Sequence, residues 1–255
     1  MNDPAVVFED NHIVVVIKPQ NTPCCPDESK DDDLLTQIKR YIARTEGKET
    51  AFVGLVHRLD RVTGGVMVYA KTSKAAARLS AQIADGNFEK TYLTVVLGNP
   101  KDRESTLVNH LYKNETKNTV EVVPSATTGA KRAELSYRVI KTPVIPKVRG
   151  AEIPTEVAVP PVSLLEVKLK TGRSHQIRVQ LSNIGHPIFG DAKYGGDKLG
   201  RGWKLALWAH KLTFTHPTTE NKMTFIVNPP EIVPWTSFDF DRQGHKTRGR
   251  KEGVV

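Results

Sequence analysis

Cysteine is nearly missing from this 255-residue chain: only Cys24 and Cys25 occur, side by side. Adjacent thiols supply neither a disulfide framework nor the ligand spacing of a structural zinc site, so reduced, partly buried thiols are expected. Long apolar runs are also absent, and no window nears the roughly 18 consecutive apolar residues of a membrane-spanning helix. The opening Met1-Asn2-Asp3-Pro4 has neither the basic nor the apolar region of a secretory leader, which predicts a cytoplasmic protein without a membrane role. Of the eight histidines, His175, His186 and His210 have no cysteine or carboxylate at the spacing of a known site, so no metal is expected. No repeat recurs at solenoid spacing.

Positive charge, by contrast, is plentiful. With 37 Lys and Arg against 28 Asp and Glu, the formal charge is +9. Such a balance favours a polyanionic partner, with nucleic acid ahead of an anionic membrane surface.

Hydrophobic periodicity predicts strands at Val6–Phe8 and Ile13–Ile17 with Asp10-Asn11 as the turn between them, closed by Lys18-Pro19. Asp32 or Asp33 is placed to cap a helix carrying Leu34, Leu35, Ile38, Tyr41 and Ile42, which Gly47 stops. After a strand at Val66–Ala70, Ser73 is placed to cap a second helix ending at Gly86. Strand-like runs follow at 88–97, 106–111, 119–123, 133–140 and 162–169, then a helix capped by Ser174, then strands at 204–215 and 223–227. This succession predicts an α+β fold, a mixed, mainly antiparallel central sheet flanked by helices in a single domain over residues 1–233. Five prolines within 143–161 predict an extended excursion, and residues 234–255 read as a basic, flexible tail.

Two runs carry the chemistry. His57-Arg58-Leu59-Asp60-Arg61-Val62-Thr63-Gly64-Gly65 places one short carboxylate among cations just before a strand. A carboxylate so placed suits a nucleophile or charge stabiliser better than a proton donor. Taken alone, the run is equally a solvated surface turn. Further on stand Thr171-Gly172-Arg173-Ser174-His175-Gln176-Ile177-Arg178 and Gly190-Asp191 with Tyr194. On spacing alone, Arg178 would be a helix-surface arginine and Tyr92 a half-buried strand residue.

Together the two runs resemble the RluA-type family of RNA pseudouridine synthases, whose hallmarks are His-Arg-Leu-Asp before a Thr-Ser-Gly turn and, later, Gly-Arg-(Ser/Thr)-His-Gln-(Ile/Leu)-Arg. The resemblance covers the chain from its opening strand to about Val227 and shows no S4-type RNA-binding domain ahead of it. It implies isomerisation of uridine in structured RNA, either a ribosomal or a transfer RNA stem-loop, by a monomer that needs no cofactor and does not act on DNA. Asp60 then matches the catalytic aspartate, Arg178 the arginine paired with it, and Tyr92, in Lys90-Thr91-Tyr92, the active-site tyrosine. Whether Asp60 attacks ribose C1′ or uracil C6, or stabilises a cation, stays open.

A paired uridine must be extruded before it can react, and Arg58 is placed to stack in the gap it leaves. Arg61, Lys71, Arg173, Lys193 and Lys211 are candidate RNA-phosphate contacts, with His57 and His175 as hydrogen-bonding neighbours. Gly64 stands where the family has serine, which frees the turn, and Gln180 where histidine is common. Two other classes compete. A glycosidase would want a second acid at defined separation, and Asp60 has none in its run. A non-catalytic RNA-binding or ribosome-assembly protein would use the same basic surface, with Asp60 merely structural.

Overall fold

The structure is a computed structural model that describes residues 3–144, 160–196, 202–238 and 240. Along the chain run β1 (Ala5–Glu9), β2 (Ile13–Lys18), α1 (Leu34–Thr45), β3 (Gly54–Leu55), β4 (Gly64–Ala70), α2 (Ser73–Ala84) and β5 (Glu89–Leu97). Then come β6 (Glu104–Asn114), β7 (Thr119–Val123), β8 (Lys131–Val144), β9 (Val162–Leu169), α3 (Gln176–Asn183), β10 (Leu207–Thr215), β11 (Lys222–Ile226) and a 3₁₀ turn at Trp235–Ser237. The strands predicted at 119–123 and 162–169 appear with those bounds. The two-residue β3 is too short to leave a hydrophobic period. Among the described residues the backbone forms two compact units, the first drawn from residues up to Lys90 and from Ala209–Asn228, the second from the remainder, between Thr91 and Trp208 and between Pro229 and Phe240.

In the first unit β1 and β2 form a hairpin whose turn is fixed by Asp10, with Oδ1 accepting from the backbone N–H of His12 and Ile13 at 2.7 and 2.9 Å. β2 pairs antiparallel with β4 from Ile13↔Ala70 to Lys18↔Gly65, β3 pairs with the far end of β4, and β11 pairs with β10. β4 and β10 are neighbours in this sheet. Val14, Val15, Val16, Met67, Val68 and Tyr69 are fully buried, so both faces of the central strands are covered. α1 is capped by Asp33, whose carboxylate accepts from Thr36 N at 3.0 Å, and buries Leu34, Ile38 and Ile42. The cap of α2 is Thr72 rather than Ser73: its hydroxyl accepts from Ala75 N at 3.1 Å, one residue earlier than the hydrophobic pattern implies.

Gly65 illustrates how tightly the first sheet closes. Its φ is +127°, and a Cβ there would lie 2.5 Å from Ala209 N, inside the space of the neighbouring backbone. Only glycine accepts both conditions.

In the second unit β9 pairs antiparallel with β5 and β8, and β6 with β8 and β7. α3 lies against β6 and β7, where Leu111, Val120, Ala133 and Val179 form a small core with Val122 and Tyr194 beside it. The expected class, α+β with mainly antiparallel pairing and helices at its flanks, is therefore observed. Packed chain continues past residue 233, since Trp235 and Phe238 are buried and Trp235 meets the Phe240 ring. The rest of the predicted tail, and most of the proline-rich 143–161 segment, lie outside the described residues.

Candidate active site

Between β3 and β4 the first signature run alternates in burial: His57 and Leu59 point inward, Asp60 is half-buried, and Arg58 and Arg61 are exposed. Inward residues anchor this loop while its charges reach out. His57 Nε2 accepts from Val68 N at 3.1 Å, and its ring lies 5.2 Å from that of Phe88. Burial, with the charge of Lys90 adding to it, pulls the imidazole down to a pKa of about 3. It is therefore neutral at physiological pH and serves as a fixed acceptor, not a proton carrier.

Two side chains that sequence reasoning passed over hold the same loop. Cys24 Sγ donates to Leu59 O at 3.1 Å and accepts from Leu59 N at 3.3 Å, clamping the residue before Asp60 from both sides. Burial raises its thiol pKa and keeps it protonated, as a donor must be. Lys18 is 0% exposed, and its ammonium donates to the carbonyls of Pro19, Thr22 and Arg61 at 2.9, 2.7 and 2.9 Å. All three N–H groups are thus used. Desolvation lowers Lys18 to a pKa of about 8, against upward pulls from Cys24 and Asp60. In the sequence this lysine reads only as the end of a strand, because convergence of distant carbonyls leaves no local pattern. Thr63 N donates to Asp60 O at 2.9 Å and closes the turn.

The flanking cations fare differently. Arg61 is engaged by Asp31, by Asp27 at 3.8 Å and by the Ser29 hydroxyl, all on the exposed loop before α1. Lys71 is 8% exposed and held by Glu9 and Glu46 at 2.5 and 2.9 Å, so its charge is neutralised within the protein rather than offered to a phosphate. Lys211 lies half-buried on β10.

The second unit carries the other signature. α3 is not entered through the Ser174 cap that the pattern suggests. The chain turns instead through His175, held in the left-handed region at φ +51° with no side-chain cap. Gln176 organises this entry: Oε1 accepts from the Thr171 hydroxyl at 2.8 Å and Arg173 N at 3.0 Å, while Nε2 donates to Glu134 O at 3.0 Å. The strained turn presents the His175 ring to Tyr194, with Nδ1 2.7 Å from the phenolic oxygen, which also accepts from Val120 N at 2.9 Å.

Arg178 is buried. Its Nε and one terminal nitrogen donate to the two oxygens of Asp191 at 2.8 and 2.7 Å, and its guanidinium lies 5.0 Å from the centre of the Tyr194 ring. Asp191, 1% exposed, accepts as well from the backbone N–H of Lys193 and Tyr194 at 3.0 and 3.1 Å. A guanidinium gripped at both its fork and its face keeps one orientation. Tyr92 is buried on β5, opposite Val167. Arg173 and Lys193 are exposed, donating to Arg132 O at 3.0 Å and Asn118 O at 2.7 Å. The second unit thus groups His175, Arg178 and Lys193 around Asp191 and Tyr194, and the first groups His57, Arg58, Asp60 and Arg61. Among the described residues no three His, Cys, Asp or Glu side chains gather into a metal site, and no helix is long and apolar enough to cross a membrane.

Residues 12–183 match the family model described as RNA pseudouridylate synthase. The chain is 32% identical over 219 residues to the uncharacterised RNA pseudouridine synthase YhcT of Bacillus subtilis, an alignment covering 84% of this chain and 65% of that protein. To the dual-specificity RNA pseudouridine synthase RluA of Salmonella typhi it is 33% identical over 225 residues, 87% of this chain and 91% of that one. Among solved structures, human RNA pseudouridylate synthase domain containing 1 shares the fold with a TM-score of 0.70 at 22% identity, covering 90% of this chain and 85% of that chain.

Proposed function

Because this chain belongs to the RNA pseudouridylate synthase family, we propose that it isomerises specific uridines of structured RNA to pseudouridine, with Asp60 as its nucleophile. The observation that carries the reading is the Asp60 loop itself. The loop that carries this half-buried carboxylate is tethered through its backbone neighbours by Lys18 and Cys24 and through the buried His57 ring, in a sequence run that the family match spans.

In the proposed reaction the bond from ribose C1′ to uracil N1 breaks, the base turns, C5 bonds to C1′, and the proton on C5 is lost while N1 gains one. Atoms and charge balance without an external reagent. Asp60 meets the electron-poor centre and Arg178, oriented by Asp191, supplies permanent positive charge. Tyr92 gives the turning base an aromatic plane, and Arg58, exposed beside the carboxylate, fills the space of the extruded uridine. Ribosomal and transfer RNA are both admissible substrates; the Salmonella relative's name records dual specificity.

The test is tritium release from 5-tritiated uridine in transcribed RNA. Wild-type protein should release tritium, and Asp60→Asn should bind the same RNA within a few-fold while releasing none. Undiminished release by the variant would remove Asp60 from the chemistry. Tight RNA binding with no release by the wild type on any transcript would favour the non-catalytic RNA-binding reading.

A further inference from the structure

Lys18, Lys71 and Lys90 are, like Lys211, at least half-buried in the first unit, and they are not treated alike. Lys18 is saturated by three carbonyls and Lys71 by two carboxylates. Lys90, at the start of β5, is half-buried and has no hydrogen bond or ion pair among the described residues. Its neighbour Glu89 faces outward, 3.6 Å from Lys222, and gives it no help.

The surroundings of Lys90 belong to the Asp60 loop. Strand alternation places Lys90 on the side of Phe88, whose ring packs on His57, and in register with Tyr92 two residues on. Its charge is felt at His57, three residues before the nucleophile. Burial lowers the Lys90 pKa, and among the described residues no anion pairs with it. A part-desolvated ammonium without an acceptor is unfavourable in the free protein. Such a charge is compensated when an anion arrives.

Resting on the function proposed above, we infer that Lys90 is an RNA-phosphate anchor, seating one backbone phosphate at or next to the target nucleotide. The compact ammonium suits a phosphate oxygen as a point charge, whereas a neutral uracil carbonyl would leave most of its desolvation unrelieved. Lys90 therefore joins Arg58 as a substrate-binding group, although in the sequence it reads as the first residue of a Lys-x-Tyr strand.

The experiment compares wild type, Lys90→Gln and Lys90→Arg on one in vitro transcript that the wild type isomerises, reading binding across a salt series together with KM and kcat. Lys90→Gln should raise KM about tenfold with kcat within twofold. It should also flatten the slope of log affinity against log salt by about 0.7 to 0.9, the value of one phosphate contact. Lys90→Arg should recover most of both, and the urea midpoint of Lys90→Gln should hold or rise. An unchanged salt slope, or a loss in kcat at unchanged KM, would overturn the anchor while leaving the wild-type activity, and so the proposed function, standing. A wild type inactive on every transcript would fail the proposed function instead, and the salt slopes on bound RNA would still decide the role of Lys90.

Discussion

Acid should weaken this fold through His57, and the size of the effect follows from its environment. The imidazole accepts from Val68 N, so protonation would set a donor against a donor in a site closed to water. Its pKa falls from 6.5 to about 3 on folding, with burial the larger cause and the Lys90 charge the smaller. Between those values the unfolded chain binds a proton that the native protein refuses, so stability rises with pH across the window. The contribution is complete above pH 6.5 and is lost as pH falls towards about 3. At about pH 4.5, some two units into the window, the loss is about 3 kcal/mol, since each unit is worth about 1.4 kcal/mol. Urea unfolding of wild type and His57→Gln at pH 7.5 and 4.5 measures it. Glutamine can still accept from Val68 N but does not titrate, so its stability should fall by about 3 kcal/mol less than that of the wild type. Parallel losses in the two proteins would refute the reasoning. The activity of His57→Gln should keep the wild-type pH profile, because a neutral, buried ring moves no proton.

Asp191→Asn removes one charge of a buried pair and should lower stability by about 3 kcal/mol, seen as a drop in urea midpoint. It should also cut kcat at least tenfold with little change in KM, since Arg178 loses its orientation before RNA contacts are touched; a change confined to KM would contradict this. Gly65→Ala combines a φ of +127° with overlap onto the Ala209 backbone and should cost about 4 kcal/mol or prevent folding. Soluble protein of unchanged thermal midpoint would show that β4 and β10 can part without penalty.

Local features of the chain were readable in the sequence where the physics is local. The Asp10 turn and the α1 cap work through hydrogen bonds two or three residues long; the turn appears as predicted, and of the two expected caps, Asp32 and Asp33, it is Asp33 that serves. The entry to α3 did not, because it depends on Gln176 reaching Glu134, some forty residues away, and on a left-handed His175. Among the site residues, Asp60, Tyr92 and Arg178 stood out by resemblance, and Arg178 proves to be buried against Asp191 rather than laid on a helix surface. Lysines resisted reading most. Lys18, Lys71 and Lys90 look alike in a sequence, yet carbonyls, carboxylates or no partner at all await them in the fold, and each outcome is set by groups far along the chain.

Lys18 has a consequence for how relatives of this chain should be compared. Three oxygens converge on a single nitrogen, much as they would around a small bound cation, and the fourth direction is taken by the side chain's own stem. Arginine spreads its donors across a flat fork and cannot meet three oxygens from one atom. An exchange that scoring schemes treat as mild would therefore leave acceptors stranded beneath the Asp60 loop. At this position the shape of the charge matters more than its sign.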